Sequence, residues 1–212
     1  MVSFFIVSIV VLDKFVVDLD LDCLSSQLRK IKQKPTNNNT RIFKMNFNEF
    51  VIALPKIKNI PLPAEASQLK MVPPYRQDLV KQQGDNIKNA RQSAVLALFY
   101  PDLEAQTKLI LILRKTYKGV HSGQVGFPGG KVELEDKDLM HTALRETHEE
   151  VGVHPELVTV YKKLTQVYIP PSNFYVQPFI GLASQTPIFT KQDTEVEDLL
   201  EVYLTDLLSD GI

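Results

Sequence analysis

Three glutamates, Glu146, Glu149 and Glu150, stand at i, i+3 and i+4 in the run GGKVELEDKDLMHTALRETHEEVGV, Gly129 to Val153. On a helix that spacing puts three carboxylates on one face, with neighbouring β-carbons about 5–6 Å apart. Like charges so placed destabilise a helix by roughly 0.2–0.5 kcal/mol per pair unless something neutralises them. Two readings are open. One is a solvated acidic face, on which Arg145 pairs with Glu149 four residues later. The other is a cation site, for which Mg2+ or Mn2+ with their preference for hard oxygen ligands are suited. The helix itself is well bounded. Asp136 or Asp138 can cap its start, Leu139, Ala143, Leu144, Thr147 and Val151 define an inward side, and Gly152 is a natural stop.

Upstream of this helix the pattern changes to that of strands. Leu109 to Leu113 is continuously apolar between Lys108 and Arg114, which predicts a central buried strand. Arg91 to Tyr100 predicts another, and the turn signal Pro101-Asp102 joins the two as a hairpin with a loop around Leu103 to Thr107. Gln124 to Phe127 reads as a short strand halted by Pro128-Gly129-Gly130. Downstream, Val158 to Val167 and Tyr175 to Leu182 read as strands, and Val202 to Leu208 as a short strand or helical turn. The acidic stretch Thr194 to Tyr203 is ambiguous.

The N-terminal third is organised differently. Residues 1–44 run from a β-branched, apolar stretch (Phe4 to Leu21) into Lys34-Pro35-Thr36-Asn37-Asn38-Asn39-Thr40, a loop or disorder signal. They read either as a mis-set start ahead of Met45 or as an extra strand or helix. Residues 45–212 then form the main domain. An amphipathic segment, Phe47 to Leu54, opens it, and Pro55, Pro61, Pro63, Pro73 and Pro74 are expected to break the next stretch into loops. The chain stops at Asp210-Gly211-Ile212 just after a turn signal, which reads as a domain truncated before a closing element.

Composition excludes little but is useful. The chain has 212 residues, 44% hydrophobic and 23% charged, which suits one globular domain. A net charge of -1 offers no bulk attraction for nucleic acid. Phe4 to Leu12 is too short to span a bilayer, so no membrane partner is expected. Cys23, the single cysteine, fits a reducing, cytoplasmic compartment.

The flanks of the glutamates decide between their two readings. Gly130, Arg145-Glu146, Glu149-Glu150, Gly152 and Val153 resemble the box of the Nudix hydrolases, with one extra residue between Gly130 and Arg145 and with Asp136 where a glutamate is usual. Leu111-Ile112-Leu113-Arg114 and His121-Ser122-Gly123-Gln124-Val125-Gly126-Phe127-Pro128-Gly129-Gly130 resemble the additional motif of the coenzyme A-type Nudix pyrophosphatases. In that motif Lys115 replaces a usual Ser or Ala, and Gly119 occupies a position often held by arginine.

The resemblance implies an α/β fold, an α/β/α sandwich with a mixed β-sheet. It implies metal-dependent cleavage, with Mg2+ or Mn2+, of the diphosphate linkage in coenzyme A or its acyl derivatives. Another nucleoside diphosphate derivative (NADH, ADP-ribose or an oxidised nucleotide) and a non-catalytic nucleotide-binding module are the alternatives. A homodimer is compatible with either. By resemblance the metal ligands are Glu146, Glu149, Glu150 and the carbonyl of Gly130, with Glu149 and Glu150 at the centre.

Arg145 then orients a glutamate or forms only a surface pair. Asp136 contributes at the metal's edge or caps a turn. Arg114 contacts a phosphate or ribose, or ties its strand to the acidic helix. His121 and Gln124 are within the motif's reach of substrate, and Lys115, Lys118 or Lys131 can take over the charge missing at Gly119. Tyr168 to Asn173 lines the pocket or forms a stiff turn. His148 faces away from the glutamates. Glu195 joins the metal or acts as base, or is one more exposed acid. The catalytic base is Glu149, Glu150 or Glu195.

Overall fold

The computed structural model describes residues 45–58, 88–115 and 123–207. The N-terminal segment 1–44, the later prolines 61, 63, 73 and 74, and Lys118, Gly119 and His121 lie outside the described residues.

Strand alternation builds the core. Strands β1 (Arg91–Pro101) and β2 (Thr107–Arg114) pair antiparallel, Phe99 opposite Leu109. Their side chains point alternately to two faces. Leu96, Leu98, Ile110 and Ile112 enter one apolar cluster, whereas Ala97, Phe99, Leu109 and Leu111 enter another. A helix covers each face. Helix α1 (Phe47–Lys58) inserts Phe47, Phe50 and Leu54 on the second side, with the Phe50 and Phe99 ring centroids 5.0 Å apart. Helix α2 (Leu139–Val151) places Ala143 and Val151 on the first. Each fully buried side chain of the size of Leu or Phe contributes about 1.5–3 kcal/mol. The result is an α/β/α arrangement.

The sheet is mixed. Its path runs β3 (Val125–Gly126), β2, β1, β7 (Phe174–Ala183), β5 (Val158–Lys163). β4 (Gly129–Lys131) pairs with β1, β6 (Val167–Ile169) with β7, and β8 (Val196–Tyr203) with β2. Only β1 and β7 run parallel among the described strands. A short helix α3 (Leu204–Leu207) follows β8 and buries Leu204.

Three expectations change. Pro55 lies inside α1 rather than ending it. Burial of Phe50 and Leu54 holds the turns before it, and Asn46 caps the helix start, its Oδ1 accepting the Asn48 N–H at 3.0 Å. The predicted strand Val158 to Val167 is two strands. Their break lies against Pro178 of β7, which has no N–H for the ladder and whose carbonyl takes the Leu164 N–H at 3.0 Å. Finally, Gly129 and Gly130 do more than stop a strand. They form β4, with Gly129 opposite Val95 and Gly130 opposite Ala94.

Candidate active site

Asp138 caps α2, its Oδ1 accepting the His141 N–H at 2.7 Å, and Gly152 ends the helix at φ 78°. The glutamates sit in the last two turns, but they do not share one environment. Glu150 is 1% exposed and Glu146 is 9% exposed, while the Glu149 side chain is 48% exposed. The carboxylate face is therefore split. Glu146 and Glu150 turn toward the sheet and Glu149 toward solvent.

Glu150 is locked to the start of β4. Its Oε2 accepts the Gly129 N–H at 2.7 Å, and its Oε1 lies 3.1 Å from Arg114 Nη1. Arg114 Nη2 donates to the Gly129 carbonyl at 2.6 Å. Arg114, at the end of β2, thus ties the strand to the acidic helix. Burial pushes the Glu150 carboxyl up to about 7, against the pull of Arg114 and the Gly129 N–H; the charges of Glu146 and Glu195 push the same way as burial.

Glu146 lies against Gly130 so closely that any side chain there would overlap its carboxylate. Burial raises its carboxyl as well, opposed by Arg145. Arg145 Nη1 sits 3.1 Å from Glu146 Oε1 and 3.0 Å from Glu149 Oε2. The rest of the guanidinium is anchored elsewhere. Nε and Nη2 each donate to Asp136 at 3.0 Å, and Nη2 donates to the Lys131 carbonyl at 3.1 Å. The Asp136 side chain is fully buried and also accepts from Thr142 Oγ1 and the Glu133 N–H, both at 2.9 Å. The Arg145 guanidinium, first of all, holds the Asp136 carboxyl far below the usual carboxylate range. Asp136 is an anchor for Arg145, which covers two of the three glutamates.

Glu195 is exposed and immediately precedes β8; its carbonyl accepts the Lys115 N–H at 2.9 Å. Gln124 is half-buried and its carbonyl accepts the Arg114 N–H at 2.9 Å. The Lys131 side chain is exposed, and His148 is exposed as expected. In Tyr168 to Asn173 the Tyr168 hydroxyl donates to Asn173 Oδ1 at 2.9 Å, and Arg91 Nη2 donates to the Ser172 carbonyl at 2.9 Å, the geometry of a stiffened turn.

The carbonyl that Arg114 engages is that of Gly129. Leu96 N–H donates to Pro128 and Val132 N–H to Gln92, so Gly130, midway between, exchanges its bonds with Ala94 in β1. The sequence alone does not say which glycine meets Arg114, because both permit close approach and only the strand register separates them.

The donor set suits a hard cation. Its groups are carboxylates, and burial first, with the charge of neighbouring glutamates behind it, raises Glu146 and Glu150, which is the imbalance a divalent ion offsets. Among the described residues, however, no group of three or more His, Cys, Asp or Glu side chains is arranged to hold a metal ion as it stands. The carboxylates are instead drawn onto Arg145, Arg114 and the Gly129 N–H.

A family model, the NUDIX domain, matches residues 90–208, more than half of the chain. The chain belongs to the Nudix family. Its matched span contains every candidate site residue named for the cluster. The uncharacterized Nudix hydrolases NudL of Yersinia pestis (strain Pestoides F) and Yersinia pseudotuberculosis serotype O:1b (strain IP 31758) are each 40% identical over 101 residues, covering 48% of this chain and 50% of the relative. The chain spans about half the length of the curated relatives it matches. Among solved structures, a C. elegans Ap4A hydrolase binary complex is 18% identical with TM-score 0.46, covering 56% of this chain and 83% of that one. The NUDIX domain of Shewanella oneidensis NrtR, complexed with ADP ribose, is 22% identical with TM-score 0.45, covering 63% and 85%. Nudix hydrolases generally use divalent metal ions such as Mg2+ or Mn2+. Among the described residues no helix is long and apolar enough to cross a membrane.

Proposed function

We propose that this Nudix protein hydrolyses the diphosphate linkage of coenzyme A or its acyl derivatives, giving 3',5'-ADP and 4'-phosphopantetheine or its acyl form. The observation that carries the reaction class is the joining of the glutamate helix to β4 through Arg114, Glu150 and the Gly129 peptide. The resemblance of Leu111 to Gly130 to the coenzyme A motif supports the substrate.

In this reading Glu146, Glu149 and Glu150 hold the ion together with the Gly130 carbonyl, beside the Gly129 carbonyl that Arg114 engages. Mg2+ or Mn2+, when bound, polarises the phosphorus centre and offsets phosphate charge. Arg145, fixed by Asp136, orients Glu146 and Glu149. Arg114 supplies a second fixed positive charge beside the Gly129 carbonyl, within a site that receives a polyanion. Glu150 is enclosed by Arg114 and Gly129, so Glu149 and Glu195, the exposed carboxylates, are better placed to take a proton from water. Gln124 and Lys131 border this region and are the described candidates for substrate contact; His121, a further candidate by sequence, lies outside the described residues.

Gly119 carries a second reading. Without arginine there, the protein acts on another nucleoside diphosphate derivative, such as NADH, ADP-ribose or an oxidised nucleotide. The test is product analysis by mass spectrometry with Mg2+ or Mn2+ and a panel of these compounds, beside a Glu149→Gln control. Phosphopantetheine with 3',5'-ADP, absent from the control, supports the proposal. Turnover of a different panel member replaces the substrate but keeps the reaction class. Metal and nucleotide binding without turnover replaces both with a binding module.

A further inference from the structure

The segment after β7 returns to the acidic helix and docks on its last turn. Thr190 N–H donates to the Val151 carbonyl at 3.0 Å, and Gln192 N–H donates to the Glu150 carbonyl at 3.2 Å. These bonds satisfy carbonyls that a helix end leaves open. The approach is tight: a β-carbon at Gly152 would lie 2.8 Å from Thr190 Cβ. Gln192 then folds the chain back. Its Oε1 accepts the Thr194 hydroxyl at 2.9 Å and the Glu195 N–H at 3.0 Å, and its carbonyl accepts the Val196 N–H at 3.0 Å. On the far side Glu195 is pinned by Lys115, and Val196 pairs with Arg114.

Glu195 is thus suspended between the two elements that hold Glu150 and Arg114. Burial raises the Glu146 and Glu150 carboxyls first, and the charge of Glu195 adds to the rise at both. We propose that Gln192 is a positioning residue, whose side-chain oxygen clamps the turn that presents the Glu195 carboxylate to Glu146 and Glu150. This deepens the diphosphatase reading and rests on it for its effect on turnover. A purely structural Gln192 would instead support the loop without acting through Glu195.

The test is a double-mutant cycle on the full chain with Gln192→Ala and Glu195→Gln, following kcat and KM for whichever panel compound the wild type cleaves. The expected losses in kcat for each single variant are about 10–100-fold, with KM nearly unchanged. The double variant is expected to be no worse than Glu195→Gln alone. Gln192→Glu, which keeps the accepting oxygen, recovers most of the activity. Losses that multiply in the double variant, or an unaffected Gln192→Ala, overturn the proposal. Mn2+ titration followed by electron paramagnetic resonance reads the same clamp without turnover. Gln192→Ala and Glu195→Gln are expected to weaken Mn2+ binding by the same factor, and wild-type affinity in Gln192→Ala overturns the clamp. Wild type inactive on the whole panel removes the diphosphatase reading, and the Mn2+ comparison still decides the role of Gln192.

Discussion

Arg114 and Glu150 close a ring on a single residue, Gly129. Arg114 Nη1 lies 3.1 Å from Glu150 Oε1, while Arg114 Nη2 donates to the Gly129 carbonyl at 2.6 Å and Glu150 Oε2 accepts the Gly129 N–H at 2.7 Å. Each group has both partners it needs, so a carboxylate that is almost fully buried is tolerated. Removing any corner leaves a buried polar group unpaired.

Glu150 is expected to make the metal-free protein less stable as pH rises. Its folded carboxyl is pushed up to about 7, above its unfolded value. The stability it contributes is complete below the unfolded value near 4.5 and is lost as pH rises through 7, by about 2–4 kcal/mol. Denaturant unfolding in EDTA at pH 5 and pH 8 measures this. The difference between wild type and Glu150→Gln should change over that interval; a constant difference shows that Glu150 ionises as in water.

Glu149→Gln separates chemistry from folding. Its side chain is about half exposed and its contact with Arg145 is an i,i+4 surface pair, worth little. The melting temperature should stay within about 2 °C of wild type, while kcat falls by about a hundredfold or more. A large drop in melting temperature with kcat retained reverses that assignment.

Asp136 acts with the opposite pH sign. Its carboxyl is held well below the usual range, mainly by Arg145. The stability it adds is present above the unfolded value, about 4, and disappears as pH falls below it. Asp136→Asn should cost roughly 2–3 kcal/mol at pH 7 and progressively less toward about pH 2.5, read by circular dichroism melts. It should also lower kcat, because Arg145 loses the anchor that holds it against Glu146 and Glu149. A penalty that is constant with pH excludes the ion pair as its cause.

The two glycines of β4 should fail differently. Gly129 has φ 150°, and an added β-carbon would meet the backbone of Ala94 and Val95, so Gly129→Ala should destabilise by about 3 kcal/mol or more. At Gly130 the obstacle is the movable carboxylate of Glu146. Gly130→Ala should fold with a smaller penalty and lose Mn2+ affinity as Glu146 is displaced. Calorimetric melts and Mn2+ titration of both variants, showing equal destabilisation, would count against this division.

Local pattern alone determined much of this protein. The 3.6-residue period, a capping aspartate and Gly152 specify α2, because helix bonds and caps join residues only three or four apart, while the structure decided that Asp138 and not Asp136 is the cap. The apolar run Leu109 to Leu113 and the turn after Pro101 specify the central hairpin for the same reason. The Arg145–Glu149 spacing also made their pairing legible. A helix period does not contain which way each glutamate faces. That was decided when β4 crossed beside α2, enclosing Glu146 and Glu150 and leaving Glu149 in solvent. That Arg114 meets the Gly129 carbonyl while Gly130 faces Ala94 came from the register of β4 on β1, more than thirty residues away in sequence. Likewise Gln192 carries no signal of its own, and its place comes from a loop docking on the end of α2. These are contacts between distant segments, and the energy that selects them lies in sheet register and burial, which only the assembled fold defines.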